Sequence, residues 1–279
     1  MLAIITLTVG QLPATAQPPA TGHLPNVING TVVDDQEAPE FVQITHPDPQ
    51  RNNHHGVQPS DLVHDCGGTI LNRNWILTAA HCTSKNNFFA DNDYKGSRTD
   101  IKIYHKVTNS MRDVKRVVVP PDIKRLKTKA DIALIELAQP LPTSARTRLP
   151  LPTSTGIGAG PSRLFGKGMY EIGPDGIPKF ITEPANELKL RKATLPFREP
   201  RVCGDKYTGE FFICAGEWNE KQKAKDSCNG DSGGPLTIYG DNKAERIQVG
   251  FVSHTARKPG YLNCGQHPTL FVKISRWVA

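Results

Sequence analysis

A serine stands among small residues near the end of the chain, in the run Gly-Asp-Ser-Gly-Gly-Pro at 230–235. Glycine adopts backbone conformations that other residues avoid, so such a run can present the hydroxyl of Ser232 on a tight turn. Backbone N–H groups on the same turn can converge on an oxygen that gains negative charge during a reaction. A serine becomes a nucleophile only beside a base that a third group orients. The run therefore predicts nucleophilic chemistry if the chain also supplies a histidine and a carboxylate.

Two other segments offer these partners. The run Thr-Ala-Ala-His-Cys at 78–82 places His81 after a strand-like segment, and Asp131 opens an apolar run at 132–135. A buried aspartate is costly unless its charge is partnered, and an imidazole N–H is a suitable partner. Alone, Asp131 is more typical of a turn at a strand edge, and His81 of a core histidine. Together with Ser232, they predict a catalytic group of three side chains.

Short strands must position these residues. The 279 residues include 24 glycines and 23 prolines without a repeating period, which favours short strands joined by turns. Runs rich in β-branched residues predict strands at 42–45, 67–71, 75–78, 101–107, 114–119, 132–137, 187–195, 235–239, 247–253 and 269–275. A proline-rich patch at 139–160 separates two halves. The sequence therefore predicts an all-β protein whose first half supplies His81 and Asp131 and whose second half supplies Ser232.

Composition and charge exclude several other classes. Hydrophobic residues make up 37% and charged residues 22%, which is typical of neither a disordered chain nor a membrane protein. The net charge is +7, and the positive residues are scattered apart from one small group: Lys124, Arg125, Lys127 and Lys129. No zinc-finger spacing or aromatic-interleaved basic strip accompanies this group, so we expect no nucleic-acid partner. His54 and His55 lie in a polar segment that we expect to be an exposed loop, not a metal site.

The first 26 residues are expected to be absent from the mature protein. Residues 2–10 form a short apolar run, and residues 14–16 match an A-x-A cleavage pattern, so residues 1–16 predict a secretory signal peptide. Residues 17–26 carry three prolines and no Asp, Glu, Lys or Arg, and we interpret them as a propeptide. No segment reaches the ~20 apolar residues of a spanning helix. We therefore expect a secreted, extracellular protein without a membrane anchor.

The motifs together resemble the chymotrypsin/trypsin family of serine endopeptidases. The resemblance is carried, in this order, by Cys-Gly-Gly-Thr-Ile at 66–70, Leu-Thr-Ala-Ala-His-Cys at 77–82, Asp-Ile-Ala-Leu at 131–134 and Gly-Asp-Ser-Gly-Gly-Pro at 230–235. It covers residues 27–279 as one peptidase domain. It implies two antiparallel six-stranded β-barrels, at about 27–145 and about 146–279, with the active site in the cleft between them. It also implies protein or peptide substrates, a proteinaceous protease inhibitor as a further partner, a monomer, and no cofactor or metal.

The resemblance assigns a role to each matched residue. Ser232 would be the nucleophile that forms an acyl-enzyme intermediate, His81 the general base and later the general acid, and Asp131 the group that orients His81. The backbone N–H groups of Gly230 and Ser232 would form the oxyanion hole. The alternative is a binding protein that keeps the fold without turnover. Such proteins usually lose one of the three catalytic residues, and none is missing in this sequence.

The six cysteines form no CxxC pairs with metal-ligand spacing, which favours disulfides over a metal site. Six cysteines allow fifteen pairings. The family resemblance implies three of these bridges: Cys66–Cys82, Cys203–Cys214 and Cys228–Cys264.

The resemblance also implies activation by proteolysis. The run Val-Ile-Asn-Gly at 27–30 is similar to the mature N-terminus of the family. In the family, the freed α-amino group, here that of Val27, pairs with the aspartate before the nucleophile, here Asp231. Asn26 departs from the usual Lys or Arg before the cut, which implies a processing protease that accepts asparagine.

The residues expected in the specificity pocket give two conflicting indications. Asp226 matches the aspartate at the base of the pocket in trypsin-like members, which predicts cleavage after Arg or Lys. Ser253 lies at the start of the expected pocket wall, and the family's usual tryptophan after it is replaced by His254. The two wall positions that are usually glycine fall on Thr255 and Thr269, which would narrow the pocket as in elastase-like members. We expect a preference for Arg or Lys, with a preference for small residues as the alternative.

Overall fold

The structure is a computed structural model that describes residues 27–51, 56–144, 149–152, 161–169, 181–204, 209–219, 221, 224–239, 245–255 and 264–278. The predicted signal peptide and propeptide lie outside these residues, as do His54 and His55. No helix in these ranges is long and apolar enough to cross a bilayer.

Strands dominate the described residues. Those of the first half are β1 (Thr31–Val33), β2 (Phe41–Pro47), β3 (Leu62–Asn72), β4 (Trp75–Thr78), β5 (Lys102–His105), β6 (Ser110–Val118) and β7 (Ala133–Leu137). Those of the second half are β8 (Ser162–Gly166), β9 (Leu190–Leu195), β10 (Phe197–Arg198), β11 (Phe212–Ala215), β12 (Pro235–Tyr239), β13 (Arg246–Thr255) and β14 (Thr269–Lys273).

The helices among the described residues are short. The α-helices are α1 (Phe88–Asp91) and α2 (Ile123–Leu126). Single 3₁₀ turns occur at Asp35–Glu37, Pro59–Asp61, Ala80–Thr83, Lys127–Ala130, Pro200–Cys203 and Ile274–Arg276. The predicted all-β class is confirmed.

Six strands of the first half close into a barrel in the order β2-β3-β4-β7-β6-β5. Successive side chains of a strand point to opposite faces of a sheet. In β7, Ala133, Ile135 and Leu137 are therefore buried in the barrel core, while the two residues between them are partly exposed. This packed interior holds the ends of β4 and β7 side by side, where His81 and Asp131 follow and precede these strands.

The second half forms an eight-stranded antiparallel sheet in the order β1-β9-β8-β12-β13-β14-β11-β10. Its six inner strands are β9, β8, β12, β13, β14 and β11, and all of them come from the second half of the chain. β1 crosses over from the first half and pairs with β9, with Thr31 opposite Lys192. The two-barrel fold is confirmed, although the second sheet has eight hydrogen-bonded strands where six were predicted. The added strands, β1 and β10, lie at its two edges and are only three and two residues long.

Three disulfides join the pairs Cys66–Cys82, Cys203–Cys214 and Cys228–Cys264. The first ties β3 to the 3₁₀ turn that carries His81. The third ties the segment before Ser232 to the segment before β14. Two of the three bridges thus brace the segments on which the site depends.

Candidate active site

His81 and Asp131 meet at one rim of the first barrel. His81 lies in the turn after β4, and Asp131 precedes β7, which pairs with β4. Nδ1 of His81 lies 3.0 Å from Oδ2 and 3.1 Å from Oδ1 of Asp131, and the backbone N–H of His81 donates to Oδ1 at 2.9 Å. A carboxylate only accepts hydrogen bonds, so Nδ1 carries the hydrogen. Nε2 of neutral His81 is therefore the basic nitrogen.

Ser232 belongs to a turn of the second half that docks on the first barrel. The N–H of Gly67 in β3 donates to the carbonyl of Ser232 at 2.7 Å. Gly233 has a φ of +76°, and a Cβ at this position would lie 2.3 Å from both the Gly67 carbonyl oxygen and Oγ1 of Thr78. Only glycine lets the turn approach the barrel this closely. The packing therefore explains the glycine after the serine.

A cleft of about 810 Å³ between the two halves is lined by both His81 and Ser232. Nε2 of His81 lies 3.8 Å from Sγ of Cys82, and no hydrogen bond joins His81 to Ser232 in the described part of the chain. In unliganded sites such bonds are often long or misaligned, and they tighten when substrate binds. His81, Cys66 and Cys82 also cluster within 4.8 Å, but the two sulfurs are bonded to each other and are not thiolate ligands.

Two backbone N–H groups, those of Gly230 and Ser232, border the cleft. Met169 N–H donates at 2.7 Å to the carbonyl that precedes Gly230, and Gly234 N–H donates at 2.9 Å to the carbonyl that precedes Ser232. In a trans peptide the C=O and N–H bonds point in opposite directions, so both N–H groups point away from these contacts. Neither N–H has an acceptor among the described residues. The pair can donate to an oxygen that becomes negative in the cleft.

His64 supports this turn and was not predicted from the sequence. Its Nε2 donates to the carbonyl of Gly230 at 2.9 Å, while its Nδ1 is buried without a partner among the described residues. Burial lowers the pKa of His64 to about 4, so the ring is neutral and the hydrogen resides on Nε2. Every second residue of β3 from Leu62 to Cys66 is buried, and this alternation is the sequence signal that could have placed His64 inside the protein.

The carboxylate of Asp231 turns away from the cleft into the protein. It accepts hydrogen bonds from the N–H groups of Gly168 at 2.8 Å and Cys228 at 2.9 Å. Burial nevertheless raises the pKa of Asp231 to about 7. A Cβ on Gly166 would lie 2.1 Å from Oδ1 of Asp231 and 3.2 Å from Cγ2 of Val27, which is fully buried. Val27 and Asp231 therefore pack against the same glycine.

Asp226 is fully buried and has protein donors on both oxygens. It accepts hydrogen bonds from Ser227 N–H at 2.8 Å, Gly265 N–H at 2.9 Å and the Thr269 hydroxyl at 2.6 Å. Burial raises the pKa of Asp226 to about 7 despite these bonds. Thr255 and Thr269 are paired across β13 and β14, and Thr255 lines the cleft. The Thr269 hydroxyl thus occupies one acceptor position of the carboxylate, and neither Asp226 nor Thr269 is among the described residues that line the cleft.

An aromatic ring that was not predicted covers one side of the cleft. Phe89 in α1 stands between His81 and His254, with ring centroids 4.9 Å and 4.7 Å away. Its neighbour Phe88 is buried and makes an edge contact with Tyr94, which anchors the short helix. The only sequence signal was a pair of phenylalanines in an otherwise polar segment.

Comparisons with known proteins agree with this geometry. The trypsin family model matches residues 44–278. The venom peptide isomerase heavy chain of Agelenopsis aperta is 29% identical over 77% of this chain and 85% of that protein. Serine protease 28 of Mus musculus is 27% identical over 81% of this chain and 79% of that protein. A trypsin of Simulium vittatum is 30% identical over 64% of this chain and 68% of that protein. The chain therefore belongs to the trypsin family of serine proteases.

Proposed function

We propose that this chain is a secreted serine endopeptidase with Ser232 as nucleophile, His81 as general base and acid, and Asp131 as the group that orients His81. The observation that carries the proposal is the bond between Asp131 and Nδ1 of His81 at the edge of a cleft that Ser232 also lines. This bond leaves the basic Nε2 for the serine proton. All three residue types are present, which disfavours a non-catalytic binding protein.

The first half of the reaction acylates the serine. Oγ of Ser232 attacks the carbonyl carbon of the substrate while its proton passes to Nε2 of His81. The carbonyl oxygen becomes an anion that accepts hydrogen bonds from the N–H groups of Gly230 and Ser232, each contributing ~3 kcal/mol to the transition state. The buried carboxylate of Asp131 stabilises the imidazolium. His81 then protonates the leaving amine as the carbon–nitrogen bond breaks.

The second half releases the acyl group. Water attacks the ester carbonyl while His81 takes one of its protons, and the same two N–H groups stabilise the second oxyanion. The proton returns to Oγ of Ser232 as the ester bond breaks. The products are a new amine and a new carboxylic acid, and the enzyme is regenerated.

We propose a preference for small residues before the cleaved bond. The Thr269 hydroxyl bonds to the buried Asp226, and neither residue is among the described ones that line the cleft, whereas Thr255 is, so the carboxylate is not presented to a long cationic side chain in the cleft. The raised pKa of Asp226 also leaves this carboxyl less charged near neutral pH than an exposed aspartate. These contacts favour the second of the two preferences expected from the sequence. Cleavage after Arg or Lys stays as the competing prediction.

We also propose that cleavage between Asn26 and Val27 activates the protein. The buried Asp231 has a raised pKa, so its charged form lacks full compensation, and a new ammonium group on Val27 would supply a partner. Secretion is supported by the three disulfides, since these persist in oxidising compartments. Three statements stay predictions: the protein is a monomer, it acts on protein substrates, and it is bound by a protein inhibitor.

The experiment is hydrolysis of a peptide library by the purified chain cleaved after Asn26. We expect turnover by the wild type and a loss of ~10⁴-fold or more in kcat for Ser232→Ala and Asp131→Asn. The control is Ser60→Ala, which removes an exposed hydroxyl outside the cleft and should keep wild-type activity. A folded wild type without turnover, or activity that survives Ser232→Ala, would contradict the proposal.

A further inference from the structure

A second histidine is connected to Asp131 through a serine. His254 follows Ser253 on β13, and both line the cleft. Oγ of Ser253 donates to Oδ2 of Asp131 at 2.6 Å and lies 2.9 Å from Nδ1 of His254. Asp131 therefore contacts His81 directly and is linked to His254 through one hydroxyl.

The number of hydrogens on Ser253 fixes the direction of these bonds. A hydroxyl has one hydrogen and two lone pairs. The Ser253 hydroxyl donates its hydrogen to Asp131, because the carboxylate can only accept hydrogen bonds. The contact with His254 is then a bond that Ser253 accepts, so Nδ1 of His254 must carry a hydrogen. A neutral His254 with its hydrogen on Nε2 would instead compete with Asp131 for the Ser253 hydrogen.

Packing holds the imidazole of His254 in this orientation. Its ring contacts Phe89 at a centroid distance of 4.7 Å and makes an edge contact with Phe212 at 5.7 Å. Among the described residues, the other titratable or charged groups that line the same cleft are His81, Lys129 and Asp65. The ring is thus fixed by apolar contacts, while its Nδ1 is directed at Ser253.

We infer that His254 is a positioning residue for the proposed reaction. Its Nδ1–H keeps the Ser253 hydroxyl directed at Asp131, and this bond in turn holds the carboxylate on Nδ1 of His81. The inference rests on the proposed function and adds a residue to it. Since His254 acts through Ser253, its loss should lower kcat and leave KM nearly unchanged.

The kinetic test compares His254→Phe, His254→Asn and Ser253→Ala on a peptide substrate that has one defined cleavage site. Phenylalanine keeps the ring packing but lacks Nδ1–H, so we expect kcat to fall about tenfold, the effect of one hydrogen bond. Asparagine has a side-chain N–H near the Nδ1 position and should restore most of the activity. In the Ser253→Ala background, His254→Phe should have no further effect, because the connection to Asp131 is already broken.

Three kinetic outcomes would overturn the inference. They are an unchanged kcat in His254→Phe, an asparagine variant as slow as the phenylalanine variant, and a loss that persists in the Ser253→Ala background. A higher KM with unchanged kcat would assign His254 to substrate binding and also count against the inference.

A second measurement does not depend on turnover. ¹⁵N NMR of the full chain carrying Ser232→Ala reports which nitrogen of neutral His254 holds the hydrogen. We expect Nδ1, and a shift toward Nε2 when Ser253→Ala is added. Hydrogen on Nε2 before that addition would overturn the inference even if the chain is inactive. An inactive wild type with hydrogen on Nδ1 would instead contradict the proposed function and leave the positioning contact supported.

Discussion

Replacing Thr269 by glycine should change which residue the protein accepts before the cleaved bond. The Thr269 hydroxyl donates to Asp226 at 2.6 Å and also lies 2.7 Å from the Ser227 hydroxyl. The glycine variant removes the side chain whose hydroxyl donates to the Asp226 carboxylate. A long cationic side chain could then reach Asp226 and take over that acceptor position.

The size of the change is set by the hydrogen bond that a cation would make to Asp226. Burial raises the pKa of Asp226 from 3.8 to about 7, so near neutral pH about half of these carboxyl groups are charged. A cation that reaches the carboxylate favours the charged form, and hydrogen bonds to charged groups contribute ~1.5–3 kcal/mol. We therefore expect the ratio of kcat/KM for Arg over Ala substrates to rise ~10- to 150-fold in Thr269→Gly.

The assay uses matched chromogenic peptides that differ only in Ala, Val, Arg or Lys before the cleaved bond, with enzyme concentrations set by active-site titration. Thr269→Ser is the control, because it keeps a hydroxyl for Asp226 and should keep the preference for small residues. A wild type that already prefers Arg tenfold would refute the account of the pocket. So would a Thr269→Gly variant whose four rates change by the same factor.

Three further predictions concern the turn before Ser232. Burial lowers the pKa of His64 from 6.5 to about 4, so stability should fall as the pH drops through this window. Between pH 7 and pH 4, the unfolding free energy measured in urea should fall by ~3 kcal/mol less in His64→Gln, which can keep the bond to Gly230, than in the wild type. Equal falls in the two proteins would contradict this. Gly230→Ala should lower kcat ~10²–10³-fold by displacing an oxyanion donor, since φ is +92° and the new Cβ would lie 2.9 Å from the Gly168 Cα; near-normal kcat would count against this role. Cleavage after Asn26 should raise activity ~100-fold or more, and Asp231→Asn should abolish the gain; equal activity before and after cleavage would rule out this activation step.

The candidate catalytic residues could be proposed from the sequence because each lies in a short contiguous motif. His81, Asp131 and Ser232 were proposed this way, and the structure places His81 on Asp131 and both His81 and Ser232 at one cleft. The strands that hold them were also predictable where an apolar core imposes a clear alternation, as in β7. Alternation is a local property, so local sequence was sufficient for the strands, whereas the three candidate residues were assigned together through the family resemblance, because His81 and Asp131 lie 50 positions apart and each alone favours a structural role.

Contacts between distant positions were not predictable in the same way. His64 and Gly230 are 166 positions apart, and Ser253 and Asp131 are 122 apart, so no local pattern links them. The sequence predicted Asp226 and Thr269 in one pocket, but it did not reveal that one side chain bonds to the other or that neither is among the described residues that line the cleft.

The missed edge strands have a different cause. β1 and β10 are three and two residues long, too short to show a period of two, and they form only because longer strands offer free edges. Their positions follow from the completed sheet, which explains why residue patterns alone did not predict them.

Covalent labelling tests most directly whether His81 and Asp131 make Ser232 a nucleophile. The cleaved chain is treated with a fluorophosphonate, digested and mapped by mass spectrometry, with Asp131→Asn treated in parallel. We predict one phosphonylated residue, Ser232, and labelling that is at least ~100-fold slower in the variant. No adduct on Ser232 in a folded protein, or equal rates in both proteins, would contradict the catalytic assignment.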